Sequence, residues 1–158
     1  MMLRTHMMTM VLIALIGLGA TGGAAAEMRG PDPALTPEEV VSIQLNALRN
    51  NDDPTPNAGI AQTFALAHPS NKRVTGPLPR FEQMIRTPAY EPLLGHASHR
   101  IERLGGSADA IAFRVTIERP NGDALDYLWE VRRVLQGPDA GAWLTTRVSS
   151  PVPAGQAI

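Results

Sequence analysis

The sequence predicts an α+β domain in which three N-terminal helices pack on a curved four-stranded antiparallel sheet. Up to about residue 85, apolar residues recur at intervals of three and four, and after residue 98 they alternate. The pair Asn121-Gly122, the strongest short hairpin signal, joins two of the alternating segments. Because the helical segments come first and the strands follow one another, we expect α+β order rather than alternating units.

The first helix is expected from Thr36 to about Arg49, behind a Pro-containing lead-in at 27–35. Thr36 is a suitable N-cap, and proline next to it is favoured in the first turn. Glu39, three residues after the cap, completes a capping box. The buried stripe of this helix is predicted to be Val40, Val41, Gln44, Leu45 and Leu48.

Two shorter helices are predicted before the sheet. Asn57 is expected to cap the second helix, and His68-Pro69 to end it, with a loop at 71–76. The third helix opens at Pro77-Leu78 and closes at Thr87-Pro88, since a residue before proline is pushed out of the helical region. The apolar stripes of these helices are Ile60, Phe64 and Ala67, and then Phe81, Met84 and Ile85.

Four strands account for the rest of the domain, which is expected to cover 36–150. The first runs from 98 to 104, the second alternates from Ile111 to Ile117, and the fourth begins near Trp143. The inward positions of the second and third strands are predicted to be Ile111, Phe113, Val115, Ile117, Tyr127, Trp129 and Val131. Residues 151–158 carry no pattern, and we expect a loose C-terminal tail there.

Residues 1–26 have the pattern of a cleavable signal peptide. A weakly basic start is followed by the uncharged apolar run 10–19 and by Ala24-Ala25-Ala26, whose small side chains suit signal peptidase. The run is shorter than the ~20 apolar residues that a membrane-spanning helix needs. We therefore expect a periplasmic or secreted protein without a stable membrane anchor after cleavage.

Composition excludes several classes of function. The chain has no cysteine, which rules out a lipoprotein anchor, thiol catalysis and cysteine-bound metals. Its 14 basic and 15 acidic residues nearly balance, so there is no electrostatic footprint for nucleic acid. No cofactor motif is recognisable, and none is expected.

Residues 35–96 contain several distinctive short runs. They include Thr36-Pro37-Glu38-Glu39, Pro69-Ser70-Asn71-Lys72-Arg73, Thr75-Gly76-Pro77-Leu78, Arg80-Phe81, Tyr90 and His96. In these runs the chain resembles one uncharacterised bacterial family, known only as a domain of unknown function, and this resemblance implies no reaction or ligand. The order of helices and strands is also similar to the cone-shaped fold of the nuclear transport factor 2-like superfamily, which includes scytalone dehydratase and ketosteroid isomerase, but a shared fold does not fix function.

Three polar residues near the third helix are candidates for ligand binding. Arg80, Arg86 and Tyr90 would converge on a bound anion if the turn after the helix brings them together. The alternative is a structural role, in which the two arginines pair with Glu82 and Glu91.

Four further candidates come from the expected concave face of the sheet and its entry. They are His96, His99, Arg103 and Tyr127. The spacing of the two histidines across a loop and a strand start does not favour a metal site. Because no central carboxylate shares their phase, an aspartate dyad of the isomerase type is disfavoured.

Two hypotheses of function remain open. The first is a non-catalytic domain of the cell envelope that binds a small apolar ligand or a partner protein, with an oligomer possible. The alternative is an enzyme of the nuclear transport factor 2-like type, a lyase, isomerase or hydrolase, with a cavity lined by histidine and tyrosine. An open cavity with His99 bonded to an acid would favour the enzyme.

Overall fold

A computed structural model describes residues 27–156; the predicted signal peptide, 1–26, and the last two residues lie outside this range. Four helices precede the sheet: α1 (Pro37–Arg49), α2 (Ala58–Ala65), α3 (Pro69–Thr75) and α4 (Leu78–Ile85). A 3₁₀ turn at Glu91–Leu93 leads into the strands. None of the described helices has the length and apolar character needed to cross a bilayer.

The strands are β1 (Ser98–Gly106), β2 (Ala110–Glu118), β3 (Ala124–Arg133), β4 (Trp143–Val148) and β5 (Val152–Pro153). They form one antiparallel sheet with the order β1-β2-β3-β4, so the α+β class with a meander is confirmed. The chain after residue 150, expected to be a loose tail, adds β5, which pairs with β3 at Leu125 and Asp126.

The expected loop at 71–76 is wrong, because α3 occupies 69–75 and makes four helices instead of three. His68 does not close the preceding helix but caps the next one, where its Nδ1 accepts the Ser70 backbone N–H at 3.1 Å. Pro69 then takes the first helical position, which suits proline because that position needs no N–H donor. The His-Pro pair therefore starts α3, whereas α2 already ends at Ala65.

The first helix begins as its capping box predicts. The Thr36 hydroxyl accepts the Glu39 N–H at 3.2 Å, and the Glu39 carboxylate accepts the Thr36 N–H at 2.8 Å. The predicted stripe is buried, and it includes Gln44 at 1% exposure. These two reciprocal bonds satisfy N–H groups that would otherwise lack partners at the helix start.

The close approach of α1 and α2 depends on Gly59. A Cβ atom placed on Gly59 would lie 2.0 Å from the carbonyl oxygen of Ala47 and 2.8 Å from the Cα of Asn51. The Gly59 N–H also bonds to the Asn51 carbonyl oxygen at 2.9 Å. Only a residue without a side chain fits this crossing.

The core lies between the helices and one face of the sheet. The alternating residues of β2 and β3 face it: Phe113 is 1% exposed, Val115 and Tyr127 are fully buried, and Trp129 is 1% exposed. The predicted phase of these two strands is therefore correct. On the opposite face, Arg114 contacts Glu102 of β1 at 3.2 Å, and Thr116 donates to Asp126 at 2.6 Å.

Candidate functional site

A cavity of about 480 Å³ lies between the helices and the β3–β4 side of the sheet. Its volume is within the range of about 300–1,000 Å³ typical of small-molecule sites. All four helices, the 3₁₀ turn and two strands contribute to its wall. The lining consists of Gln44, Leu48, Thr63, Ala67, Ser70, Asn71, Val74, Thr75, Phe81, Met84, Ile85, Tyr90, Leu93, Trp129, Thr145, Thr146, Arg147 and Val148.

The wall of the cavity is mainly apolar. Leu48 of α1, Phe81 and Ile85 of α4, and Leu93 of the 3₁₀ turn are all buried in the core, and each also lines the cavity. Half-buried Met84 adds an unbranched side chain that adapts to irregular space. Such a surface favours an apolar occupant because it removes that occupant's surface from water.

The buried end of the cavity carries a hydrogen-bonded group that joins α1 to β3 and β4. The indole N–H of Trp129 lies 3.0 Å from Thr145 Oγ1 and 3.2 Å from Gln44 Oε1. The Thr145 hydroxyl donates to Gln44 Oε1 at 2.6 Å, and Gln44 Nε2 donates to the Thr63 carbonyl at 3.0 Å. Because these polar groups already bond to one another, their burial carries little penalty and the end of the cavity is rigid.

The mouth of the cavity lies between α3 and the end of β4. Val74 of α3 is 75% exposed, although it lines the cavity, and the Arg147 side chain is 64% exposed. The Asn71 amide donates to the Thr145 carbonyl at 3.2 Å and ties α3 to β4 beside this opening. The unpredicted helix α3 therefore forms one side of the entrance.

The chemistry available in the cavity is limited. Among the described residues that line it, Tyr90 and Arg147 are the only ones with ionisable side chains, and no carboxylate or histidine is present. The Tyr90 hydroxyl donates to the Val148 carbonyl at 3.1 Å. Tyr90 is thus the one side chain in the described wall of a type that commonly transfers protons, and its hydroxyl is already bonded to Val148.

Of the predicted site residues, Tyr90 alone belongs to this cavity. Tyr127 is fully buried and donates its hydroxyl to the Ala89 carbonyl at 3.1 Å. Burial raises the pKa of Tyr127 far above the ordinary tyrosine value, with a smaller contribution from nearby Tyr90. Tyr127 therefore stays neutral, and its hydrogen bond links β3 to the segment before the 3₁₀ turn.

The two arginines of α4 do not converge with Tyr90 on one site. Arg80 and Arg86 are both exposed, and Arg86 Nη2 donates to Asn57 Oδ1 at 2.5 Å. The expected ion pairs with Glu82 and Glu91 do not occur within residues 27–156, although Arg86 and Glu91 line the same shallow cleft. Arg86 thus fixes the loop that starts α2.

His96 and His99 form a hydrogen-bonded pair near the start of β1. His96 Nδ1 donates to the Leu93 carbonyl at 2.7 Å, which requires the proton to be on that nitrogen. In a neutral ring, Nε2 is then an acceptor, so His99 Nδ1 donates to it at 2.8 Å. Within residues 27–156, neither histidine bonds to an acid or lines the cavity, and Arg103 is exposed further along β1.

The histidine pair predicts a loss of stability in mild acid. Burial lowers the pKa of both histidines, and for His96 the neighbouring His99 and Arg49 lower it further against the Leu93 hydrogen bond. The folded state therefore binds protons less readily than the unfolded chain, whose histidines titrate near pH 6.5. The stability gained from keeping the two histidines neutral is complete above that pH. It is lost as the pH falls through their lower pKa values in the folded state.

We expect the free energy of unfolding of the native chain to fall as the pH is lowered below about 6.5. Urea titrations at several pH values measure this decline. The double variant His96→Gln/His99→Gln should decline less steeply, retaining the part due to His68, whose pKa is also lowered by burial. Identical slopes for both proteins would contradict this role of the pair.

Most of the residues that build the cavity are not among the predicted site residues. Gln44 was expected in the buried stripe of α1, and a polar residue in such a stripe is a signal for a buried hydrogen bond. Thr145 and Val74 carried no comparable signal. Within residues 27–156, no three side chains of the His, Cys, Asp and Glu types are close enough to hold a metal ion.

Comparison of the chain with protein-family models, curated proteins and solved structures finds no match.

Proposed function

We propose that this chain is an exported, non-catalytic binding domain whose cavity holds one small, largely apolar molecule. The observation that carries the proposal is the composition of the wall around the 480 Å³ cavity. Apolar side chains from α1, α4 and the 3₁₀ turn surround a hydrogen-bonded polar end. Mostly apolar walls with few convergent polar groups are typical of sites for small ligands.

The polar end gives the ligand's preferred orientation. Gln44 and Thr145 use their side chains to bond with each other and with Trp129. A ligand would therefore gain little from placing a strongly polar group there, because the partners are already engaged. Its apolar part is expected to fill the buried end, and any polar part to remain near the mouth.

The enzyme alternative has weaker support. It requires a histidine or tyrosine positioned in the cavity, and Tyr90 is the one candidate of this kind in the wall, with its hydroxyl engaged by Val148. His99 bonds to His96 in place of an acid. We also propose that the chain is related to the nuclear transport factor 2-like cone and to the uncharacterised bacterial family. Neither resemblance implies a reaction for this chain.

Blocking the mouth tests the proposal. Val74→Phe places a larger side chain at the entrance of the cavity, whereas Leu135→Phe makes a similar change at a residue that is 71% exposed outside the cavity lining. Decanol serves as an uncharged apolar probe, and its binding is followed by tryptophan emission, to which Trp129 in the wall and Trp143 outside the lining both contribute. We expect Val74→Phe to weaken decanol binding about tenfold, and the Leu135 variant to match the native chain.

Both variants change exposed positions, so their stability should remain within about 0.5 kcal/mol of the native chain. Native mass spectrometry of the protein purified from its own host gives an independent measurement. An added mass of a few hundred daltons, lost in Val74→Phe, would agree with the proposal. A native chain that binds no decanol and carries no small molecule would contradict it.

A further inference from the structure

We propose that the ligand is an anionic amphiphile, with its apolar chain in the cavity and its carboxylate or phosphate in a basic cleft at the mouth. This inference rests on the proposed binding function and specifies the ligand's chemical class. It comes from the distribution of charge around the cavity: positive groups are concentrated at the opening and are lacking in the buried wall.

The basic cleft adjoins the cavity at the edge of β4. It is lined by His68, Ser70, Glu130, Arg132, Thr146 and Arg147. Three of these residues, Ser70, Thr146 and Arg147, also line the cavity. The two spaces are therefore neighbours, and one molecule can extend from the cavity into the cleft.

The cleft has positive charge that its own acidic group does not fully neutralise. Arg147 Nη1 lies 4.0 Å from Glu130 Oε1, at the outer limit of an ion pair. Arg132 is exposed and, within residues 27–156, has no carboxylate oxygen within 4.0 Å. Two guanidinium groups thus face one carboxylate, and guanidinium groups bind carboxylates and phosphates with well-matched donors.

The protonation state of His68 affects the charge of the cleft, because this residue also lines it. Burial is the main reason why the pKa of His68 is lowered, and the positive charges of Arg73 and Arg132 lower it further. His68 is therefore neutral at pH 7 and leaves the two arginines as the anion-binding groups. Positive potential at a mouth also raises the rate at which anions enter.

The cavity size agrees with a single apolar chain. A water molecule occupies about 30 Å³ of liquid, and a methylene group is similar in size. The cavity of about 480 Å³ thus holds roughly fifteen such groups. Because a free anion would lose its hydration in the apolar part, the charge must stay at the mouth while the chain enters.

A matched set of ten-carbon probes tests this inference. Decanoate, decanol and decylammonium differ mainly in the head group, and all are used below their micelle concentrations at pH 7.5 and low salt. The change in tryptophan emission gives the affinity of each probe. We expect the native chain to bind decanoate about fivefold more tightly than decanol, and decylammonium more weakly than either. A factor of this size is expected for exposed ion pairs between the carboxylate and the two arginines. Decyl phosphate then distinguishes a phosphate head group from a carboxylate.

Arg132→Gln/Arg147→Gln should abolish the preference, so that decanoate and decanol bind this variant with the same affinity. Arg100→Gln, which removes a charge from the exposed part of β1, is the control and should keep the preference. Raising NaCl to 0.5 M should reduce the preference in the native chain, since exposed charges are screened.

The outcomes separate this inference from the proposed function. Equal affinities for decanoate and decanol in the native chain at low salt would leave the cavity's binding function intact and overturn the anionic class. A decanoate preference that survives the double arginine variant would also overturn it. Failure of every probe to bind would overturn both proposals.

Discussion

Phe113→Asp is expected to lower the free energy of unfolding by about 4 kcal/mol or more, or to prevent folding. The Phe113 ring is 1% exposed and faces the helices from the middle of the sheet. Its replacement leaves a cavity and places a carboxylate without a partner in the core, and each effect alone costs several kcal/mol. Urea unfolding followed by circular dichroism measures the loss.

Leu128→Asp is the matched control on the other face of the sheet. Leu128 is half-buried and lies opposite Arg114 in the β2–β3 register, so a carboxylate there meets a positive charge, which offsets the repulsion from Asp126 and Glu130 two residues away on the same face. The expected loss is about 1 kcal/mol. Thr116 would be a poor control, since its hydroxyl bonds to Asp126, and a second carboxylate there would be repelled. Equal losses at 113 and 128 would mean that the assigned faces are wrong.

Gly59→Ala is expected to cost about 3 kcal/mol, a large effect for one added methyl group. The new Cβ would lie 2.0 Å from a backbone carbonyl oxygen of α1, so the two helices must separate. Separation would also weaken the hydrogen bond from the Gly59 N–H to Asn51. The midpoint of urea unfolding should fall, with little change in the slope of the transition.

Gly30→Ala provides the comparison, because a Cβ at Gly30 has no atom within 4 Å. Its stability should stay within about 0.5 kcal/mol of the native value. A similar small effect at Gly59 would show that the α1–α2 crossing is loose enough to absorb a methyl group, contrary to the close approach described above.

The parts of the fold that follow from local pattern were predictable. The capping box at Thr36 marks the start of α1, and alternation fixes the inward residues of β2 and β3 because side chains on a strand change face at every step. The Asn121-Gly122 turn separates the two strands as expected. In each case the signal lies within a few residues, and no distant contact overrides it.

Other elements depend on interactions that the pattern of a few neighbouring residues does not reveal. Pro69 is compatible with the end of one helix and with the first turn of the next, and the cap that decides between them is the side chain of His68. The strand β5 has two residues, too few for any periodicity. Its pairing depends on the neighbouring position of β3.

The cavity was the least predictable feature. The predicted site residues are all polar or aromatic, whereas the wall is made mainly of apolar residues that also belong to the core. Whether a core residue such as Phe81 or Leu93 packs against another side chain or borders a space depends on the angles between helices. Tyr90, predicted as a polar group that binds an anion together with Arg80 and Arg86, lies in the wall of the cavity instead, where its hydroxyl donates to the Val148 carbonyl.

The bond between Gln44 and Thr145 has a consequence for how the chain folds. These partners are 101 residues apart. During synthesis, α1 emerges long before β4. The helices and the first hairpins can therefore form local contacts before Gln44 of α1 can bond to Thr145 of β4. Contacts of such wide separation slow folding, because loop closure costs entropy before the contact stabilises the chain. β4 therefore completes the native state cooperatively, and a nascent chain that ends before residue 145 lacks the group that joins helix to sheet.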